Sequence, residues 1–412
     1  MNVRRSAAAL AAVAVIGTAA PAVAADSAPS ASPSPVIPSG LYGSTDPQYD
    51  GVWRQSLALL AQHTAGVRPA AKAVDWLTGQ QCANGAFAAF RADVSTACDA
   101  KVMVDTNSTA AAVQALAALG GHGAETGKAV SWLKSVQNAD GGWGYTPGGP
   151  SDTNSTSVVV GGLAAAGDEP AQVVKGGKSP FDALLKLALP CSGDGAGAGA
   201  FAYQPDKKGA LTANADATAA GVLAALGLGL DAGPAKGAAQ ARCADAAKPT
   251  PRQAAANGAS YLARAVGKTG YLTSVLPGAT DQPDYGNTAD AVVALAAQGG
   301  ARQAEKPLRW LKQHAEAWAH ESGPAAWAQL VLAAHATGTD PHDFGGIDLV
   351  ERLNATGPAP QAAEKAGTRA GNEDSDEQNG SVFGVWWFVG VCLVAGVGIG
   401  FLISGRAKRQ QP

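Results

Sequence analysis

One unit recurs along this chain with its turn chemistry intact. Ala129-Val130-Ser131-Trp132-Leu133-Lys134-Ser135-Val136-Gln137-Asn138-Ala139-Asp140-Gly141-Gly142-Trp143-Gly144 leads into Asp152-Thr153-Asn154-Ser155-Thr156 and an Ala/Val-rich run. An earlier copy has Ala73-Val74-Asp75-Trp76-Leu77, then Asn84-Gly85-Ala86-Phe87, then Asp105-Thr106-Asn107-Ser108-Thr109. Trp76 to Trp132 is 56 residues and Asn107 to Asn154 is 47. Self-similarity at roughly this period marks repeated helical hairpins, each unable to bury its apolar face without neighbours.

Each copy has the same grammar. A first helix carries Val, Trp and Leu at helical spacing (Val74, Trp76, Leu77; Val130, Trp132, Leu133). Asn-Gly or Asp-Gly-Gly is expected to end it, glycine taking the left-handed conformation that a Cβ resists. An aromatic residue and a polar loop follow. Asp-Thr-Asn-Ser-Thr then offers side-chain oxygens to the free amides of a second helix, rich in small apolar residues (Ala110 to Leu119; Val158 to Ala166).

Three weaker copies extend the series. The third runs through Phe181 to Leu189, Gly195 to Tyr203 and Thr212 to Thr218; the fourth through Tyr261, Gly270-Tyr271 and Tyr285 to Asp290; the fifth through Trp310-Leu311 and Pro324 to Ala336. One unpaired helix leads (Trp53 to His63) and one trails (Phe344 to Leu353). Five pairs and two single helices close into a ring of six hairpins if the last helix packs beside the first.

The Gln137 to Gly144 run, Gln-x-x-Asp-Gly-Gly-Trp-Gly, with its spacing to Asp152 and the small-residue helix beyond, resembles the repeat of the prenyltransferase and squalene-cyclase superfamily. The resemblance covers roughly Gln48 to Leu353 and is sharpest in the second copy. It implies an all-α fold, an α/α toroid of about six helical hairpins with inner and outer rings. The same toroid occurs in vitamin B12 carriers resembling transcobalamin and intrinsic factor, so fold does not settle function.

The ends of the chain suggest where the ring lives. Residues 1–24 carry Arg4 and Arg5, an apolar stretch and Ala22-Val23-Ala24, the pattern of a secretory signal peptide. Residues 25–47 form a Ser/Pro/Ala-rich leader expected to be disordered, and 48–353 the toroid. Residues 354–381 read as a solvated stalk. Residues 382–403 form an uncharged run long enough for a single transmembrane helix. In the tail, 404–412, Arg406, Lys408 and Arg409 place the C-terminus inside by the positive-inside rule. The expectation is a single-pass cell-membrane protein with an extracellular toroid. The abundant alanine suggests an actinobacterial source.

Cysteine usage fits export. Cys82, Cys98, Cys191 and Cys243 fall in the external region, and four cysteines allow three pairings. The local one, Cys82–Cys98 with Cys191–Cys243, is expected. Zinc, which protein prenyltransferases use, is the alternative, but no Cys-x-x-Cys or close Cys/His group supports it. No metal ligand is assigned.

A net charge of −3 with 15% charged residues argues against a nucleic-acid surface. Squalene-hopene-type cyclases protonate substrate with an Asp-x-Asp-Asp motif. The nearest match here, Asp374-Ser375-Asp376-Glu377, lies in the stalk, where a strong, enclosed acid cannot be built. No Asp-Asp-x-x-Asp magnesium site appears, and no residue is assigned a catalytic role. The expectation leans away from an enzyme.

The loop between first and second helix should emerge at the same end of the ring in every hairpin. That end is expected to gather Trp143, Tyr145, Asp152, Asn154, Asp105, Asn107, Tyr203, Asn214, Tyr285 and Asn287 around a mouth where helix N-termini offer amides. As single residues, Asp, Asn and Thr there serve equally as helix caps, and Trp143 as a hairpin staple. As a set they suggest a small-molecule or lipid ligand: a corrinoid or similar large cofactor handed to an uptake transporter, or an isoprenoid lipid. The alternatives are a cyclase- or prenyltransferase-like enzyme at the cell surface and a structural or partner-binding scaffold.

Overall fold

A computed structural model describes residues 36–192, 195–236, 242–275 and 281–362. The expected signal peptide, the first part of the leader, the stalk from residue 363 onward, the membrane span and the basic tail lie outside these. Among the described residues no helix is long and apolar enough to cross a membrane.

Twelve α-helices are described. Six form a closed inner ring: α1 (Gly51–Thr64), α3 (Thr106–Leu119), α5 (Thr153–Ala165), α7 (Ala215–Ala225), α9 (Tyr285–Gly299) and α11 (Pro324–Thr337). Each packs on the next, and α11 returns to α1. The outer ring is α2 (Ala71–Gly79), α4 (Gly123–Ser135), α6 (Pro180–Leu187), α8 (Pro251–Ala265), α10 (Ala301–Ser322) and α12 (Leu349–Asn354).

Burial explains the layering. Inner α3 is buried on nearly every face, from Thr106 through Leu116, whereas outer α4 buries only a stripe of Thr126, Ala129, Val130, Trp132 and Leu133. Small residues let inner helices approach closely. A Cβ on Gly162 would stand 3.2 Å from the Ala110 carbonyl of the neighbouring helix.

The sixth hairpin is made from the two ends of the ring. Outer α12 packs on α11 and is tied to inner α1 by the Gln62 Nε2 bond to Asn354 Oδ1 at 2.6 Å. Tyr42, fully buried, donates its hydroxyl to Gln62 Oε1 and to the Pro358 carbonyl. The lone helices at either end are therefore linked by hydrogen bonds across the seam.

The glycine turns differ from the expected helix caps. α2 ends at Gly79 and α4 at Ser135, several residues before Gly85 and Gly141. Both glycines have positive φ, in turns where loop meets neighbouring repeat. A Cβ would stand 2.3 Å from the Lys128 carbonyl at Gly85 and 2.2 Å from the Ser179 carbonyl at Gly141. The repeat needs glycine there mainly to stack one hairpin on the next.

Among the described residues three short antiparallel ladders cross the loops: β1 (Phe87–Ala88) with β2 (Val104–Asp105), β3 (Phe201–Pro205) with β4 (Leu211–Asn214), and β5 (Leu272–Thr273) with β6 (Pro283–Asp284). Each leads directly into an inner helix. Disulfides join Cys82 to Cys98 and Cys191 to Cys243, the local pairing. They fit an extracellular or secreted protein.

Candidate functional site: the cavity on the ring axis

The motif Asp-Thr-Asn-Ser-Thr separates into distinct roles once folded. Its first residue is the N-cap. Asp105 Oδ1 accepts from the Ser108 amide and Asp152 Oδ1 from the Ser155 amide, both at 2.6 Å. Its second residue ties one repeat to the next, with Thr106 donating to the Gly144 carbonyl and Thr153 to the Ala202 carbonyl. Its fifth residue latches the loop, the Thr109 hydroxyl accepting from Phe87 N and the Thr156 hydroxyl from Trp143 N. Thr218 and Thr288 repeat the latch on Phe201 and Leu272. Only the third position, Asn107 and Asn154, turns toward the ring axis.

There the inner helices enclose a cavity of about 210 Å³. Trp53 and Leu57 of α1, Leu223 of α7, Val293 of α9 and Leu332 of α11 contribute apolar wall. Leu228, Gly229 and Leu230, following α7, line the cavity where the chain crosses near the lower part of α3 and α5. Gln114 anchors that crossing, accepting from Leu230 N at 2.8 Å and donating to the Val158 carbonyl at 3.1 Å.

The collar nearer the helix N-termini is polar. In α7 the motif reads Asn214-Ala215-Asp216-Ala217-Thr218, so the axial position carries a carboxylate in place of an amide. In α9 it is Gly286, and a carboxylate appears one turn deeper as Asp290. Asn154 Nδ2 donates to Asp216 Oδ2 at 2.6 Å, and Gln329 Nε2 to both oxygens of Asp290 at 3.2 Å. Burial pushes the Asp290 carboxyl up to about 7, with the charges of Asp216 and Asp284 adding to the effect and the Gln329 bond opposing it. Burial also raises Asp216, against its bond from Asn154. The two carboxyls are thus both raised, and the charge of Asp216 is one of the causes at Asp290.

The buried acceptors Asn154 Oδ1 and Ser157 Oγ have no hydrogen-bond partner. Ser157 is 6% exposed and lines the cavity. Among the described residues no three His, Cys, Asp or Glu side chains cluster as a metal site.

Of the ten expected mouth residues, Asn107 and Asn154 line this cavity. Trp143 does not reach the mouth: it is fully buried, donating Nε1 to the Leu133 carbonyl at 2.7 Å. Its large apolar ring is worth more inside the hairpin than on the rim. Asp105, Asp152 and Asn214 are caps. Asp105 also borders a separate surface groove with the half-exposed Tyr145. Tyr203 is 43% exposed, within electrostatic reach of Asp152 and Asp216. Tyr285 stacks on Trp318 at 5.5 Å and meets Trp310 in a tilted contact at 4.9 Å, and Asn287 donates Nδ2 to Asp284. Asp216, Asp290, Ser157 and Gln329 went unassigned in the sequence. Counting positions from each inner-helix cap would have placed them on the axial face.

No family model and no curated protein matches this chain. Among solved structures it is similar to an ent-copalyl diphosphate synthase from Streptomyces platensis, at 17% identity and a TM-score of 0.46, covering 70% of this chain and 50% of that one. It is similar also to a sugar epimerase from a ruminal bacterium (13% identity, TM-score 0.42, 70% and 79% covered). A third is a protein from Actinoplanes (18%, 0.29, 63% and 80%). The chain spans about half the length of the synthase.

Proposed function

We propose that this chain is a membrane-anchored extracellular binding protein whose ring holds a ligand at its axis. The observation that carries the reading is the cavity itself, with an apolar lower wall and a polar collar bearing unpaired acceptors. Ligand sites are commonly apolar concavities with a few placed polar groups. The disulfides support an external location, and residues 1–24 and 382–403 supply the secretion signal and the single span.

Cavity size constrains the ligand. A corrinoid macrocycle is too large to be enclosed and would lie across the mouth; an isoprenoid chain would enter end-on. Carriage to an uptake transporter fits either. The test is titration of the purified chain with cobalamin, cobinamide and isoprenoid lipids. Micromolar binding supports carriage, and failure of all three removes these ligand classes. External protease on intact cells should remove epitopes of residues 48–353 and spare a tag after Pro412; a protected ring would refute the topology.

One observation favours an enzyme as the second reading. The Asp290 carboxyl, pushed up to about 7 by burial and by the charge of Asp216, lines the axial cavity together with Asp216. Turnover of a squalene-like or prenyl substrate, abolished by Asp290→Asn, would establish it. Without binding or turnover, a scaffold is the remaining reading.

A further inference from the structure

The collar is unbalanced in charge and in hydrogen bonding. Asn154 gives its amide nitrogen to Asp216 and Gln329 gives its own to Asp290. In these orientations each amide nitrogen faces a carboxylate oxygen, which in the ionised form only accepts. Two residues of the lining also carry buried polar atoms without a partner, Asn154 Oδ1 and the Ser157 hydroxyl, beside the carboxylates of Asp216 and Asp290. The lining contains two aspartates and no lysine, arginine or histidine. Anionic head groups, diphosphate included, would meet like charge.

We propose that the ligand's polar end is a primary or secondary ammonium, held by Asp216, Asp290, Ser157 and Asn154 with its apolar body against Leu223, Val293 and Leu332. This rests on the reading of the cavity as a ligand site and names what that site selects. An ammonium supplies several donors and one positive charge, matching acceptors that have no donor and carboxylates that have no cation. Trp53 adds an aromatic ring to the same wall.

The site also senses pH. The charges acting on Asp290 are Asp216 on α7 and Asp284 at the start of its own helix. α11 faces it with neutral Gln329, while α1, α3 and α5 line the cavity without an ionisable side chain. No charge from α8 or α10 is among those acting on it. A cation binds the ionised carboxyl, so affinity should fall about tenfold per pH unit below 7.

The experiment uses the full-length chain in lipid nanodiscs, with empty nanodiscs as blank, and calorimetric titration with hexylammonium, hexanamide, heptanol and heptanoate. Hexylammonium should bind at least tenfold more tightly than the others at pH 8 and roughly fiftyfold more weakly at pH 5 than at pH 7. Asp290→Asn should abolish that pH dependence, and Ser157→Ala should weaken binding severalfold in a chain whose melting is unchanged. Equal binding of heptanol or hexanamide would overturn the cationic head group while leaving the cavity a ligand site. No binding by any probe would overturn the inference, with the cobalamin and isoprenoid titrations deciding the broader reading separately.

Discussion

α3 and α5 carry the five-residue motif intact, whereas α7 and α9 carry it with departures. The intact pair caps, latches and links its hairpins, and presents neutral Asn107 and Asn154 to the axis. The departing pair keeps the latch through Thr218 and Thr288, yet brings Asp216 and Asp290 to the cavity. Positions that hold the hairpin together persist while the axial positions change. The carboxylates reach the axis in copies where the repeat departs from its pattern.

Breaking what holds the hairpins together, on either side, should cost most. Trp143→Ala removes a fully buried indole and is expected to destabilise the chain by about 3–5 kcal/mol, read as a lowered melting temperature. Ligand affinity of the folded fraction should stay unchanged; a loss of affinity with little change in melting would put Trp143 at the site. Replacing Cys191 and Cys243 together by Ala opens a loop whose ends are 52 residues apart and should cost about 2–5 kcal/mol. Thr156→Val leaves the buried Trp143 amide without its acceptor, for about 1–3 kcal/mol.

The departing side should respond to pH. Asp290 has a raised folded-state pKa, about 7 against an ordinary 3.8. The folded chain therefore holds a proton that the unfolded chain releases, and its contribution to stability, full below the unfolded value, is lost as pH rises from about 4 to 7. Asp290→Asn should flatten that slope and stabilise the chain at pH 8 by roughly 1–2 kcal/mol, in denaturant titrations at several pH values. An unchanged slope would move the titrating group elsewhere. The smallest effect is expected from replacing Asp374, Asp376 and Glu377 together by Ala, within about ±0.5 kcal/mol and without change in ligand affinity.

Much of the ring was legible from periodicity and turn residues. A helix rich in small apolar residues must be covered on all sides, and a Trp/Leu stripe on one, so inner and outer positions follow from composition. The lone helices at either end pointed to closure, and local spacing to the disulfide pairing. The glycines were recognised but given the wrong task, because a contact with the next repeat leaves no trace in local sequence.

The candidate site was only partly legible for the same reason. Short polar residues before a helix signal a cap, and nothing local separates the one that caps from the one that turns to the axis. Asp216 and Asp290 lie 74 residues apart, in the copies with the weakest motif, so no contiguous acid pattern announced them. Sequence by itself determined the repeat and its helices, since these depend on neighbours along the chain. Only the closed ring decided that two distant carboxylates face one cavity and that Trp143 belongs to the core, because burial and mutual repulsion depend on what closure brings together.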